Sequence, residues 1–428
     1  MLNFFIGRYR WVIVALLFAL SVVNYLDRQT LSILAPALKD LHRINSVTYS
    51  YIVTGFLITY AIGFAIAGPL LDRFGVRRVV GIAVGIWAVA AIAHSFVSGW
   101  TGLLACRMLL GLGESFAPVG GGKAVGEWIP QTERGLAMGI FSTGNVAGAV
   151  IAAPLVTVLL LHSGWRMAFA VTGAAALLWL ICWFLFYNSP EKEKRLSEDE
   201  RNWILGSRAK PDDRASAVSV LKTSYGYGLF IARFLTDSVP FFFSFWLPEY
   251  LRHNRGVSTV LVGAVAWIPY LAADIGGISG GAFSDWLVRR GWLRAKARFR
   301  LLLIAACMTP LAAVAVRTSS VAVSLACISL VLAAHSIWIV NLFTLITETA
   351  PRGHGGTALG VSGVGGALGG IVANLAAGRL IPTAGYVAVF TVLGFVHFAG
   401  FAVLRRTVPH GSAKFQTPSR IAIDTGSA

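Results

Sequence analysis

Apolar residues in this 428-residue chain fall in long blocks, separated by short stretches rich in charge, glycine and proline. A membrane-spanning helix needs about 20 mostly apolar residues. Twelve blocks reach that length: 11–35, 49–71, 79–98, 101–123, 135–161, 165–187, 225–251, 258–288, 299–317, 320–347, 356–381 and 385–404. The pattern therefore predicts an all-α membrane protein with twelve spans. Residues 189–224 interrupt it with a polar, proline-punctuated stretch, SPEKEKRLSEDERNWILGSRAKPDDRAS among them. That stretch reads as a solvated linker with one amphipathic helix on the membrane surface. It divides the chain into a six-helix bundle over 1–188 and another over 225–408, with 409–428 left as a tail.

The two halves echo each other. Between spans 2 and 3 stand Gly68, Asp72, Arg73, Gly75, Arg77 and Arg78. Between spans 8 and 9 stand Gly281, Asp285, Arg289, Arg290 and Gly291, about half a chain later. Pro130, Ala137 and Gly139 are answered by Pro351, Ala358 and Gly360. The first of these loops resembles, residue for residue, the G-x-x-x-D-R-x-G-x-R-R loop of the major facilitator superfamily. That resemblance implies two parallel six-helix repeats with a substrate site between them near the midplane. It also implies a conformational role for the loop, with Asp72 accepting hydrogen bonds from a neighbouring helix terminus while the arginines clamp that side. Glycines four apart, Gly135/Gly139, Gly144/Gly148, Gly276/Gly280 and Gly366/Gly370, mark close helix contacts. They are expected to act as hinge or sliding surfaces between the halves.

Composition agrees. Charged residues make up 13% of the chain and hydrophobic ones 56%, against about 25% charged in soluble domains. The net charge of +17 does not point to nucleic acid. Lys and Arg gather in the termini, the 72–78 loop, the central linker and the 289–300 loop, all on one side of an even number of spans. Basic residues accumulate on the cytoplasmic side, so both termini are expected in the cytoplasm of a bacterial inner (plasma) membrane. The first span is too long for a signal peptide's apolar core, and no small-residue cleavage site follows it. Cys106, Cys182, Cys307 and Cys327 lie within predicted spans with no metal-ligand spacing. Gly120-Gly-Gly-Lys123 lacks the rest of a phosphate-binding loop and follows no strand. No metal or organic cofactor is expected, nor any catalytic constellation. A channel would need a continuous polar file, and a nutrient sensor on a transporter scaffold would carry a long soluble extension.

The chemistry lies in charges placed within spans, each of which costs roughly 2.5–3.5 kcal/mol to insert. At 1.5 Å per residue, Asp27 and Arg28 on span 1 and Arg107 on span 4 reach similar depth, in the half of the membrane away from the basic side. Two arginines against one aspartate leave a surplus positive charge, suited to an anion. Glu114 shares a helix face with Arg107 and lies near the midplane. Asn24 shares a stripe with Arg28, and Tyr60 and Asn145 fall near mid-depth. A purely stabilising Asp27–Arg107 or Glu114–Arg pair is the competing reading, although buried ion pairs stabilise little. In the second half, Arg233 and Asp237 stand at i, i+4 and either satisfy each other or take part in transport. Asp274 follows on span 8. His335, Trp338 and Asn341 partly share a face of span 10 and are read as a polar cavity wall. His94 and His397 are read as structural.

NYLDRQTLS (24–32), RMLLGLGESFAP (107–118) and EWIPQTERGLAMGIFSTG (127–144) resemble the anion:cation symporter family of that superfamily. FFFSFWLPEYL (241–251), WIPYLAADIGGISGG (267–281), the His335 to Thr344 run and GVSGVGGALGG (360–370) resemble its hexuronate branch. The resemblance implies proton-coupled uptake of a sugar-acid monoanion such as glucuronate or galacturonate. By position, Arg28 would bind the carboxylate, Tyr25, Tyr60 and Asn145 would line the pocket, Asp27 and Glu114 would carry protons, and Arg107 would hold one of those acids. Asn145 replaces a frequent Gln, Glu249 stands where a neutral or basic residue is common, and span 10 exits through ThrGluThrAlaPro (347–351). These departures leave aldonates, aldarates and aromatic carboxylates as alternative substrates. Moving one anion inward against 100 mV costs about 2.3 kcal/mol; one proton neutralises it and two make the step favourable. The expected partners are the organic anion, protons and the lipid bilayer, with a monomer as the working unit.

Overall fold

The computed structural model of the chain describes residues 9–130, 133–206, 217–349 and 355–408. The tail 409–428 and the Pro351 echo lie outside them. The first bundle comprises α1 (Tyr9–His42), α2 (Ser46–Phe74), α3 (Val76–Ala93), α4 (Trp100–Glu114), α5 (Phe116–Trp128), α6 (Arg134–Ser163) and α7 (Trp165–Phe186). The linker carries α8 (Glu198–Gly206) and α9 (Ala217–Leu221). The second bundle comprises α10 (Ser224–Thr236), α11 (Ser238–Glu249), α12 (Thr259–Val265), α13 (Ile268–Arg289), α14 (Arg294–Met308), α15 (Leu311–Arg317), α16 (Val321–Thr349) and α17 (Gly355–Thr407). Four spans are each built from two of these pieces: α4 with α5, α10 with α11, α12 with α13, and α14 with α15. The α17 run holds the last two spans, turned at Gly385, whose φ of 69° favours glycine. Twelve spans in two six-helix bundles result. Gly75 ends α2 at φ 80°, which gives the glycine of the repeated loop a backbone reason.

Three of the glycine pairs sit within a bundle rather than between the two. Gly144 and Gly148 let α6 close on α1: an added Cβ would come within 2.5 Å of the Phe18 carbonyl and 2.6 Å of the Val22 carbonyl. Gly276 and Gly280 pack on Ala333 and Ile337 of α16, and Gly366 and Gly370 on Asp237 and Phe241. Gly139 faces open space. Small residues here bring neighbouring backbones together inside a bundle. At these three pairs the expected sliding surfaces are packing seams within a bundle.

Contacts between the bundles gather at one end, opposite the basic loops. Ser32 Oγ donates to the Ser244 carbonyl at 2.7 Å, and Tyr49 Oη to the Phe245 carbonyl at 2.8 Å. Gln29 Nε2 lies 3.4 Å from Ser244 Oγ. Lys39 forms a buried ion pair with Glu249, and His253 stands 3.4 Å from Asp40. Gly263 meets Thr157, and Gly378 meets Ser46 and Ser50. Pro248 explains one acceptor. It has no N–H to bond the carbonyl four residues earlier, so Ser244 is free to accept from the other bundle.

At the basic end, the ion pairs among the described residues stay within a bundle. Arg10 binds Glu133 at 2.8 Å and Glu200 of α8 at 2.7 Å, with its guanidinium 4.7 Å from the Trp203 ring. The linker helix is thus docked on the first bundle. In the second bundle, Arg298 joins Asp285 at 2.8 Å and Glu348 at 3.1 Å. A cleft between the bundles therefore opens toward the basic end and is closed at the other.

Candidate functional site

Arg28 is the centre of a cluster in the first bundle. Its Nε and Nη2 each lie 3.1 Å from Glu114 Oε2. Asn24 Oδ1 accepts from Nη2 at 3.4 Å, while Asn24 Nδ2 donates to the Glu114 carbonyl. Three rings surround the guanidinium: Tyr60 at 4.9 Å, Phe56 at 5.4 Å and Tyr25 at 5.7 Å. A guanidinium within about 6 Å of a ring centroid is attracted to it. Phe56 also stands 4.8 Å from the Arg107 guanidinium, between the two arginines. Sequence reasoning missed it, because a lone phenylalanine in an apolar span carries no signal.

The adjacent Asp27 and Arg28 point apart, as their 100° offset requires. Arg28 is half-buried, whereas Asp27 is 2% exposed. Neither Asp27 oxygen has a hydrogen-bond partner, although Trp87 and Thr172 are nearby. Arg107 holds neither acid. Its Nη2 donates to the Arg28 carbonyl at 3.3 Å, and its Nε and Nη1 are unpartnered. Two helical turns separate Arg107 from Glu114, about 10 Å along the axis; Arg28 reaches Glu114 from the neighbouring helix instead. The cluster also differs from its expected charge. With Glu114 included it holds two arginines and two acids, so it is neutral while both acids are ionised.

Tyr25 and Tyr60 are partly exposed, and Asn145 is exposed. Arg28 and these three are the accessible members of the set. Tyr270 of α13 adds a residue that the sequence analysis did not single out, donating to the Phe243 carbonyl at 3.3 Å near Tyr25 and Gln29.

The expected wall of His335, Trp338 and Asn341 is not a wall in this conformation. Trp338 and Asn341 have no exposed surface, and His335 is 8% exposed. Asn341 Nδ2 is spent on the Ile337 carbonyl, Trp338 packs edge-on against His397, and His335 bonds His397. Spacing gave their shared face but not its direction; the close α13–α16 seam turns that face into the bundle. Arg233 and Asp237 do pair with each other. His94 is structural, bonded to the Ala90 carbonyl and stacked on Phe169.

In the repeated loop, Lys123 Nζ donates to Asp72 at 2.6 Å and Arg77 to the Phe184 carbonyl at 2.7 Å. Arg73 lies over Phe74, and Arg78 is exposed. Gly68 has open space where a side chain would project.

Two helical bundles closing at one end around a central cleft, with an arginine–acid cluster beside it, define a multi-pass membrane transporter. The chain belongs to the Major Facilitator Superfamily, whose family model matches residues 17–374. It is 30% identical over 405 residues to the hexuronate transporter of Escherichia coli (strain K12), covering 92% of this chain and 93% of that one. It is 33% identical over 277 residues to the galacturonate transporter of Dickeya chrysanthemi, covering 64% and 80%. Among solved structures, the D-xylose-proton symporter superposes with a TM-score of 0.72 over 94% of this chain and 98% of that one, at 16% identity.

Proposed function

We propose that this protein is a proton-coupled importer of a sugar-acid anion, a hexuronate such as glucuronate or galacturonate, in a bacterial inner membrane. The basic end faces the cytoplasm by the positive-inside rule, so the cleft is open inward. The observation that carries this reading is the Arg28–Glu114 pair at the edge of the cleft. While Glu114 is ionised, it occupies Arg28 and the cluster is neutral. Protonating Glu114 frees the guanidinium fork for a substrate carboxylate and leaves one positive charge to match it. Asp27, buried and without a hydrogen-bond partner, is the alternative site for that proton, and Arg107 supplies the field that both acids feel. Tyr25, Tyr60 and Asn145 offer hydroxyl and amide groups to a polyol. The named relatives support the substrate class.

Competition binding and proteoliposome uptake with glucuronate, galacturonate, gluconate, galactarate and benzoate test it. The hexuronates are expected to bind best, and an inward proton gradient to accumulate them. Stronger competition by benzoate would end the hexuronate reading. Uptake indifferent to the proton gradient would end the symport reading.

A further inference from the structure

The second bundle holds another acid–arginine pair that this mechanism leaves idle. Asp237, at the break between α10 and α11, is ion-paired with Arg233, just as Glu114 ends α4 at the break of its own span. His335 Nε2 on α16 stands 4.0 Å from Asp237 Oδ1. Its Nδ1 lies 3.2 Å from Nε2 of His397 on α17. Gly366 of α17 leaves the space that the carboxylate fills. Arg233 from α10, His335 from α16 and His397 from α17 are the titratable or charged groups that face Asp237 and one another among the described residues.

The chain of contacts is one proton short. A single N–H fits between the two rings, so one donates and the other accepts. If His335 donates, its Nε2 is a bare acceptor facing Asp237 Oδ1, which has no hydrogen-bond partner. Two lone pairs do not bond, and 4.0 Å is beyond hydrogen-bond reach. If His397 donates, its own Nδ1 is left bare, and that atom is also unpartnered. Either way, a buried acceptor lacks a proton.

We propose that Asp237, His335 and His397 form a second proton-binding centre, serving the second bundle as Glu114 serves the first. One proton enters from the cleft past the half-buried Arg233 and closes the gap between Asp237 Oδ1 and His335 Nε2. The same proton leaves when the centre faces the other side, and no other bond changes. This rests on the proton-coupled sugar-acid reading. With one proton carried in each bundle, a monoanion enters with one net positive charge. Membrane potential then drives accumulation, roughly 50-fold for 100 mV.

Two measurements on the full-length protein test this. The first uses no substrate, so its outcome is independent of the sugar-acid reading. Infrared difference titration of the purified protein should show a protonated-carboxyl band that Asp237→Asn removes and Glu114→Gln retains. His335→Gln should change the proton affinity of that band about tenfold. A band untouched by both Asp237→Asn and His335→Gln overturns the proposal. If Asp237→Asn does not fold, His335→Gln decides alone. The second follows glucuronate in proteoliposomes. Potential alone should concentrate it in wild type but not in His335→Gln, while a pH gradient still drives the variant. An equal potential response in both overturns the transport role.

Discussion

The planar guanidinium of Arg28 meets Glu114 through two nitrogens, and a substrate carboxylate would take the same fork. Lysine cannot reproduce it. Arg28→Lys should fold normally but bind glucuronate roughly tenfold to a hundredfold more weakly, the loss of about 1.5–3 kcal/mol of charged hydrogen bonding; calorimetry on the purified variant checks this. Glu114→Gln should behave in the opposite way at alkaline pH. In wild type, rising pH ionises Glu114, which recaptures Arg28, so affinity falls by up to about tenfold per pH unit. The variant has no competitor for Arg28, so its affinity should stay flat with pH. It should also lose the accumulation that membrane potential alone drives in wild type, and a potential response equal to wild type in this variant would pass the first bundle's proton to Asp27. The charged residues of this cluster were legible in the sequence because charge inside a span is conspicuous. Their pairing was not, since helix-face arithmetic ranks residues on one helix and says nothing of a neighbour such as Arg28 reaching across. The departures at Glu249 and Glu348 turn out to have partners, Lys39 and Arg298, in helices far away in sequence.

At the scale of the helix pair, the glycines of α6 set how close α1 lies, and α1 carries Asn24, Tyr25, Asp27 and Arg28. A Cβ at Gly148 would approach the Val22 carbonyl to 2.6 Å and Tyr25 Cβ to 2.9 Å. Gly148→Ala should therefore push α1 outward, costing about 1–3 kcal/mol as overpacking does, and should loosen the ring cage around Arg28. Gly139→Ala, in open space on the same helix, is the control. Thermal unfolding in detergent should fall for the first and hold for the second; equal shifts would mean that the seam is not what the α1 position depends on. Twelve spans, the repeat and the turn near 385 were readable from apolar runs and from glycine and proline punctuation. Which helices touch was not, because the four-residue glycine spacing looks the same inside a bundle and between bundles.

For the whole molecule, the closed end is held by few polar contacts, and Lys39–Glu249 is the buried charged one. Removing one partner strands the other, at about 3–5 kcal/mol. Glu249→Gln should thus shift the resting population at least tenfold toward a state open at that end. Spin labels at the start of α2 and beside the Gly385 turn of α17 would report longer distances. Reversing both charges, Lys39→Glu with Glu249→Lys, should restore the wild-type distances, and failure to do so would remove the pair from the gate. The Ser244 carbonyl freed by Pro248 has a different consequence. An acceptor made of main chain survives any substitution of the residue that bears it, so variation at 244 spares this bond and removes only the Gln29 contact with the Ser244 hydroxyl. On the acceptor's side, position 248 erases it, by supplying an N–H that reclaims the carbonyl for the helix. Pro248→Ala should weaken the seal much as Ser32→Ala does, and the two together should add little beyond either alone. The part of the gate most resistant to mutational drift would then be governed by a residue that has no backbone donor of its own.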